Sequence, residues 1–252
     1  MALMPVADAL AKVLAQATPL PAEQTPLTAA HGRVLAEDLT ARRTQPPGNV
    51  SAMDGYAVRA ADVAAIPAVL TVIGEIAAGH DFLGRVNKGE AARIFTGAIM
   101  PPGADSVVIQ ENVARDGDRV TVKSIATLGK HMRRGGLDFA AGAVLLQKGR
   151  RLTGRDLMLA AAMNLPAIPV PRRPKLAMLA TGDELVRPGI EPGPNQVVYS
   201  NGYAVMALAA SEGAEVIDLG IVPDRVEETI AAIRRARAAG IDILVTSGGA
   251  SV

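Results

Sequence analysis

No cysteine and no tryptophan occur in this chain of 252 residues. The first absence excludes disulfides, thiolate metal sites and cysteine nucleophiles, and leaves the chain indifferent to the redox state of its compartment. Aromatic residues are almost as scarce: three Tyr and three Phe are too few for a platform on which bases stack. Neither sign of charge dominates, since 26 basic residues face 25 acidic ones for a formal charge of +1. So balanced a surface offers no field to draw in nucleic acid or an anionic membrane. No run approaches the ~20 apolar residues that a bilayer span requires. The stretch from Met1 to Leu14 contains Asp8 and lacks both a basic start and a continuous apolar core, unlike a signal peptide. The expectation is a soluble protein with no nucleic-acid or membrane partner.

Familiar catalytic signatures are missing too. There is no G-x-x-x-x-G-K-[ST] loop, no G-x-S-x-G elbow and no histidine pair at ligand spacing; His31, His80 and His131 stand alone. What remains is carboxylates, hydroxyls and backbone amides. That set suits Mg2+-assisted phosphate chemistry better than nucleophilic hydrolysis.

The pattern of the chain changes three times. Val6, Leu10, Val13 and Leu14 follow helical spacing between Pro5 and Ala17. After the proline-rich Gln45-Pro46-Pro47-Gly48, short β-branched runs at 69–73, 106–110 and 119–123 alternate with Gly, Pro, Asn and Asp, which predicts a small β-rich module. Thr153 is placed to cap a helix through Asn164, with Leu157, Ala160, Ala161 and Met163 on its apolar face. Pro166, Pro169, Pro171 and Pro174 then form a stiff connection, and a domain boundary is expected near Arg172.

Beyond it, strands are expected at 176–180, 215–219 and 241–245. Between them lie helices near 201–212, capped by Ser200, and from about Arg225 to Ala239. Asp224 is the expected cap of the second helix, Val226, Ile230 and Ile233 its apolar stripe, and Gly240 its stop. Such alternation reads as a parallel sheet covered on both faces. Ligands bind beyond the carboxyl ends of strands in such sheets. Two polar clusters fall there: Thr181-Gly182-Asp183-Glu184, and Ser247-Gly248-Gly249-Ala250-Ser251. Their glycines let amides approach an anion and their carboxylates suit Mg2+; each cluster alone reads more readily as a turn, and the two together at adjacent strand ends favour a binding site. Ser51-Ala52-Met53-Asp54-Gly55-Tyr56-Ala57-Val58 and Thr96-Gly97-Ala98 are left open in the same way. So are Arg133 and Arg134, which could clamp a phosphate or solvate a loop.

The same clusters carry a family resemblance. SAMDGYAV at 51–58, RIFTGAIMP at 93–101, RRGGLDFAAGAVLL at 133–146, TGDEL at 181–185, SNGY at 200–203 and SGGASV at 247–252 occur in this order. Together they resemble the molybdopterin molybdenumtransferase (MoeA) family, which includes the E-domain of gephyrin, from about residue 4 to the last. The resemblance implies a multi-domain α+β and α/β protein. Residues 1–44 and 146–172 would pair as a linking domain, 45–145 would form the β-rich inserted domain, and 173–252 part of an α/β molybdopterin-binding domain. It further implies a cytoplasmic homodimer that inserts molybdate into adenylylated molybdopterin with Mg2+, releasing AMP. Asp54, Thr96, Glu184 and Asp224 match the family's functional polar residues, with Glu184 and Asp224 on the metal and Asp54 reaching the site from the partner chain. Asp138, Thr181, Gly182, Asp183, Asn201, Ser247, Gly248, Gly249 and Ser251 would contact substrate.

Two departures accompany it. Leu137 stands where many members have a polar residue, and members continue beyond Val252 with further acidic and lysine positions. The chain is therefore expected to be C-terminally truncated and inactive alone. The alternatives are a related molybdopterin-binding protein, such as an adenylyltransferase or a competence-damage-type nucleotide hydrolase, and a gephyrin-like scaffold. Residues 45–145 count against the first, and the retained polar residues against the second.

Overall fold

A computed structural model describes residues 4–248. Two units emerge by backbone contact, residues 38–147 with 158–166, and residues 1–37 with 148–157 and 167–252. The fold is α+β.

The first unit is built on a six-stranded sheet. Its strands are β1 (Gly55–Val58), β2 (Ala68–Ile76), β3 (Glu90–Ile94), β4 (Ser106–Ile109), β5 (Val113–Asp116) and β6 (Arg119–Val122). Their spatial order is β4-β1-β3-β2-β6-β5, antiparallel except for the β2–β3 pair. The predicted runs at 69–73, 106–110 and 119–123 are three of these strands. The interior strand β1, inside the SAMDGYAV block, carries no alternation that would mark it in the sequence, because all four of its residues are buried. Tyr56 and Val58 enter one core with Leu70, Val108 and Val120, while Ala57 enters another with Ile76, Ile94 and Val107. Fully burying an aliphatic side chain of this kind stabilises by about 1.5–3 kcal/mol.

The second unit begins with α1, Val6–Ala15, none of whose residues is buried. Val6, Leu10, Val13 and Leu14, the predicted apolar face, are all exposed. Residues Ala22–Pro26 and Ala167–Pro171 pair antiparallel. Helix α2, Gly154–Ala162, starts after Thr153 as expected, and Asp156 reaches back to accept from both the Thr153 N–H (2.8 Å) and its hydroxyl (2.7 Å). The Asp156 carboxyl is buried. Desolvation pushes its pKa up, but the Thr153 hydrogen bonds and Arg150 at 2.8 Å outweigh this and hold it below the ordinary value.

The α/β part has β7 (Lys175–Thr181), α3 (Asn201–Ser211), β8 (Glu215–Val222), α4 (Val226–Ala238) and β9 (Ile243–Ser247). The sheet is parallel, with β7 between β8 and β9. Leu176 to Ala180 are all buried, which is why β7 reads as one apolar run. Strand β8 runs beyond the expected end at 219, through a register shift against Met178/Leu179 that uses the positive φ of Gly220 (83°).

Four local expectations are corrected. Asp224 does not cap α4: Arg225 occupies the N-cap position, without a side-chain bond, and Ser200 likewise precedes α3 without one. The buried residues of α4 are Ala232 and Ala236, whereas Val226 and Ile230 are exposed. Of the expected stripe only Ile233, half-buried, packs against the sheet, beside Ala232 on Leu179 and Val222. Strand β9 also starts two residues later than expected. Asp242 is occupied as an anchor, accepting from both Arg172 terminal nitrogens (2.7 and 2.6 Å) and from the Lys175 N–H (2.8 Å). Among the described residues no helix is long and apolar enough to cross a membrane.

Candidate active site

Two constellations gather the predicted residues, one in each unit. In the first unit, antiparallel pairing sets Gly55 opposite Ile94 on one side and Ile109 on the other. Asp54 is thereby delivered beside Phe95-Thr96 and beside Gln110, whose N–H donates to the Asp54 carbonyl (3.1 Å). The two motifs are also stitched by backbone, Ser51 N–H to Ala98 O and Gly97 N–H to Ser51 O, both 2.9 Å. A side chain at position 55 is impossible without movement, because its Cβ would lie 2.1 Å from the Val108 carbonyl oxygen.

Asp54 and Thr96, 42 residues apart, meet directly. The Thr96 N–H (2.8 Å) and hydroxyl (2.7 Å) both donate to Asp54 Oδ1. The backbone bond, then the hydroxyl bond, hold the Asp54 carboxyl below its ordinary pKa, against a smaller desolvation effect and with help from the Arg93 charge. Asp54 is thus an anion at neutral pH, an acceptor and a fixed charge rather than a proton donor.

Sequence reasoning assigned Arg93 no role. Its guanidinium donates to Gly55 O (2.9 Å) and Gln110 Oε1 (2.6 Å), and its Cζ lies 5.3 Å from the Tyr56 ring centroid and 4.8 Å from that of Phe95. A charge flanked by Ala91, Ala92 and Ile94 in a buried strand was the available signal, since such a group requires partners. Asp138 is engaged elsewhere, by Arg133 Nη2 at 2.7 and 2.8 Å, with both side chains substantially exposed. A surface pair of that kind contributes about 0–1 kcal/mol, and it occupies one of the two arginines whose role the sequence left open.

In the second unit the two clusters expected beyond the strand ends do come together. Thr181 closes β7, and a Cβ on Gly248 would lie 2.1 Å from the Thr181 carbonyl oxygen. Gly182 (φ 151°) donates to Val222 O at 3.2 Å, and Gly248 has φ 108°. Both are conformations that L side chains rarely adopt. Ser247 ends β9 in register with Ala180. The Asp224 N–H donates to Asp183 Oδ1 at 3.4 Å, so the Asp224 carboxylate, freed from capping, sits at the same edge. The Glu184 carboxylate folds over Gly182, its oxygens 2.6–2.7 Å from where a Cβ would stand. Asp183, Glu184, Asp224 and Asn201 are exposed. Asn201 opens α3, whose return toward the start of β8 places its N-terminus at this end of the sheet. Gly249 and Ser251 lie outside the described residues.

Among the described residues no three His, Cys, Asp or Glu side chains group closely enough to hold a metal alone. The donors are nonetheless hard carboxylate oxygens. Mg2+ is commonly held by one or two carboxylates together with substrate phosphates. The edge fits Mg2+ on that condition, with a phosphate completing the ligand set.

Residues 4–164 match the MoeA N-terminal region (domain I and II), and residues 177–252 match a probable molybdopterin binding domain. A molybdopterin molybdenumtransferase from Nostoc sp. is 41% identical over 230 residues, covering 90% of this chain and 52% of that protein. Molybdopterin molybdenumtransferase 2 from Mycobacterium tuberculosis is 39% identical, covering 90% of this chain and 56% of its own length. The crystal structure of a molybdopterin biosynthesis protein, MoeA, from Pyrococcus horikoshii superposes with a TM-score of 0.88 at 32% identity, over 98% of this chain and 67% of that one. The chain thus spans about half the length of the curated relatives it matches. With its first family match alone extending over more than half of the sequence, this chain belongs to the MoeA family.

Proposed function

We propose that this chain serves molybdenum cofactor biosynthesis as a molybdopterin molybdenumtransferase, inserting molybdate into adenylylated molybdopterin with release of AMP. One observation carries the reading. Thr181-Gly182, Asp183, Asp224 and Ser247-Gly248 converge on the carboxyl edge of a parallel sheet, within a segment that matches a probable molybdopterin binding domain.

A phosphorylated pterin would meet the backbone of this edge, and the Ser247 and Thr181 hydroxyls would bond its oxygens. Asn201 and the N-terminus of α3 add donors at the same edge. Glu184 and Asp224 would hold Mg2+ against the pyrophosphate link, where the cation supplies charge neutralisation as that link is cleaved. Asp183 orients the Asp224 backbone. Asp54, ionised and fixed by Thr96, supplies a stationary negative charge and acceptor, and Asp138 contributes a further substrate contact once displaced from Arg133.

The working form is a cytoplasmic homodimer in which Asp54 of one chain serves the sheet edge of its partner. The exposed stripe of Val6, Leu10, Val13 and Leu14 on α1 supports association, since a helix with no buried residue gains little from its own fold. Residues 1–44 with 146–172 make the linking domain, 45–145 the inserted domain and 173–252 the pterin domain. Support for the first comes from the antiparallel pairing of Ala22–Pro26 with Ala167–Pro171.

The test is AMP release and cofactor formation from adenylylated molybdopterin, molybdate and Mg2+, compared between a chain that carries the downstream acidic and lysine positions of its relatives and the same chain with Asp54→Asn. Loss of a fixed charge used in the transition state typically lowers turnover about 10²–10³-fold, with unchanged melting. Equal turnover by the variant would remove Asp54 from the reaction.

A further inference from the structure

Within the second unit lies a cavity of about 690 Å³ that the sheet edge does not include. Arg172 and Arg173 immediately precede β7, and Glu212 immediately follows α3. The cavity therefore sits at the opposite, amino-terminal end of the strands. Four guanidinium groups, those of Arg33, Arg151, Arg172 and Arg173, line it, with Glu212 as the only carboxylate in its wall.

Their surroundings differ in a way that matters. Arg33 is held by Glu23 at 2.8 Å and has only 11% of its side chain exposed. Arg172 is held by both oxygens of Asp242. These two are fixed and largely neutralised. Arg151 meets Glu212 through one nitrogen at 3.2 Å, with both side chains more than half exposed. Arg173 donates to the Gly213 carbonyl at 3.1 Å and forms no ion pair among the described residues. Each guanidinium carries five N–H donors, so Arg151 and Arg173 keep most of theirs. With Glu23 and Asp242 counted beside Glu212, one positive charge remains in excess, and two planar forks with spare donors are backed by two that are held in place.

We propose that this cavity binds a small phosphate-bearing anion, gripped by Arg151 and Arg173, at a second site separate from the proposed reaction. Planar forks match the oxygens of phosphate in pairs, and the volume lies within the range of small-molecule sites. An arriving phosphate takes the place of Glu212 as the partner of Arg151. The exposed Arg151–Glu212 pair is weak enough to yield.

The proposal is tested by titrating the protein with inorganic phosphate and with ribose 5-phosphate, read by calorimetry, and by mapping which arginines each ligand protects from phenylglyoxal by mass spectrometry. Saturable binding with protection of Arg151 and Arg173 is expected. Arg173→Gln should weaken it about tenfold or more, Arg173→Lys less, and neither should move the melting temperature. Tighter binding of ribose 5-phosphate assigns the site to an organic ester, and equal binding to free phosphate. No saturable binding up to about 10 mM, undiminished binding by Arg173→Gln, or protection confined to other arginines would each overturn it. None of these readouts depends on the transferase reading.

Discussion

The two constellations place carboxylates on opposite principles. In the six-stranded unit, Asp54 is locked before any ligand arrives, by two bonds from Thr96 and a sheet register that leaves no room for a side chain at position 55. At the edge of the three-stranded sheet, Asp183, Glu184 and Asp224 are exposed, and among the described residues their side chains make one hydrogen bond, Asp183 Oδ1 accepting from the Asp224 N–H at 3.4 Å. A sheet buried on both faces fixes its polar groups as a by-product of packing. A sheet edge keeps its groups solvated, to be ordered by phosphate and cation. The difference separates a preorganised charge from a set of ligands in waiting.

The largest effect that would break this comparison is expected at Gly55. Gly55→Ala places a methyl 2.1 Å from the Val108 carbonyl, in a core strand with no slack. Denaturant unfolding should show a loss of about 3 kcal/mol or more. An unfolding midpoint near that of the unmodified protein would mean that β1 can shift, and that Asp54 is less rigidly held than its bonds suggest. Smaller, but still visible in stability, is Met178→Ala in β7, where a buried side chain is removed from the central strand of the parallel sheet. About 2–5 kcal/mol is expected. The same experiment asks whether the three-stranded sheet is as tightly packed as the six-stranded one.

Thr96→Val and Asp183→Ala compare the two sites directly. Thr96→Val removes one of two bonds to Asp54 and should raise the Asp54 pKa toward its ordinary value, as read by NMR titration, without ligand. Asp183→Ala should be silent in the ligand-free protein and weaken only the binding of adenylylated molybdopterin. A ligand-free destabilisation by Asp183→Ala would show that the edge is preorganised after all.

The smallest effect concerns pH. Asp242 is brought down from 3.8 to about 2, first by the Arg172 side chain and then by the Lys175 N–H. Its folded pKa lies below the unfolded one, so its stabilisation is complete above about pH 4 and is lost as pH falls toward 2. Asp242→Asn should flatten that part of the acid limb in an unfolding series between pH 5 and 2. An unchanged limb would assign the acid sensitivity to other carboxylates, Asp156 among them.

The sequence by itself determined a good deal. Helical spacing located α1 and α2. Continuous apolar runs announced β7 to β9 and their parallel order. Glycine and hydroxyl clusters after two of those strands marked the ligand edge, because a parallel sheet delivers strand ends to one side. What it could not show were contacts whose partners lie far apart in the chain. Asp54 and Thr96 meet only because β1 pairs with β3. Arg93 finds the Tyr56 ring, and Asp242 its arginine, through contacts just as distant in the chain. Even Asp224, placed by local rules as a helix cap, lies one residue before the N-cap Arg225, and its N–H meets Asp183, 41 positions away. Local propensity and periodicity are properties of neighbouring residues and are legible in their order. Charge pairing and close approach depend on which strands lie side by side, and only the tertiary structure decides that.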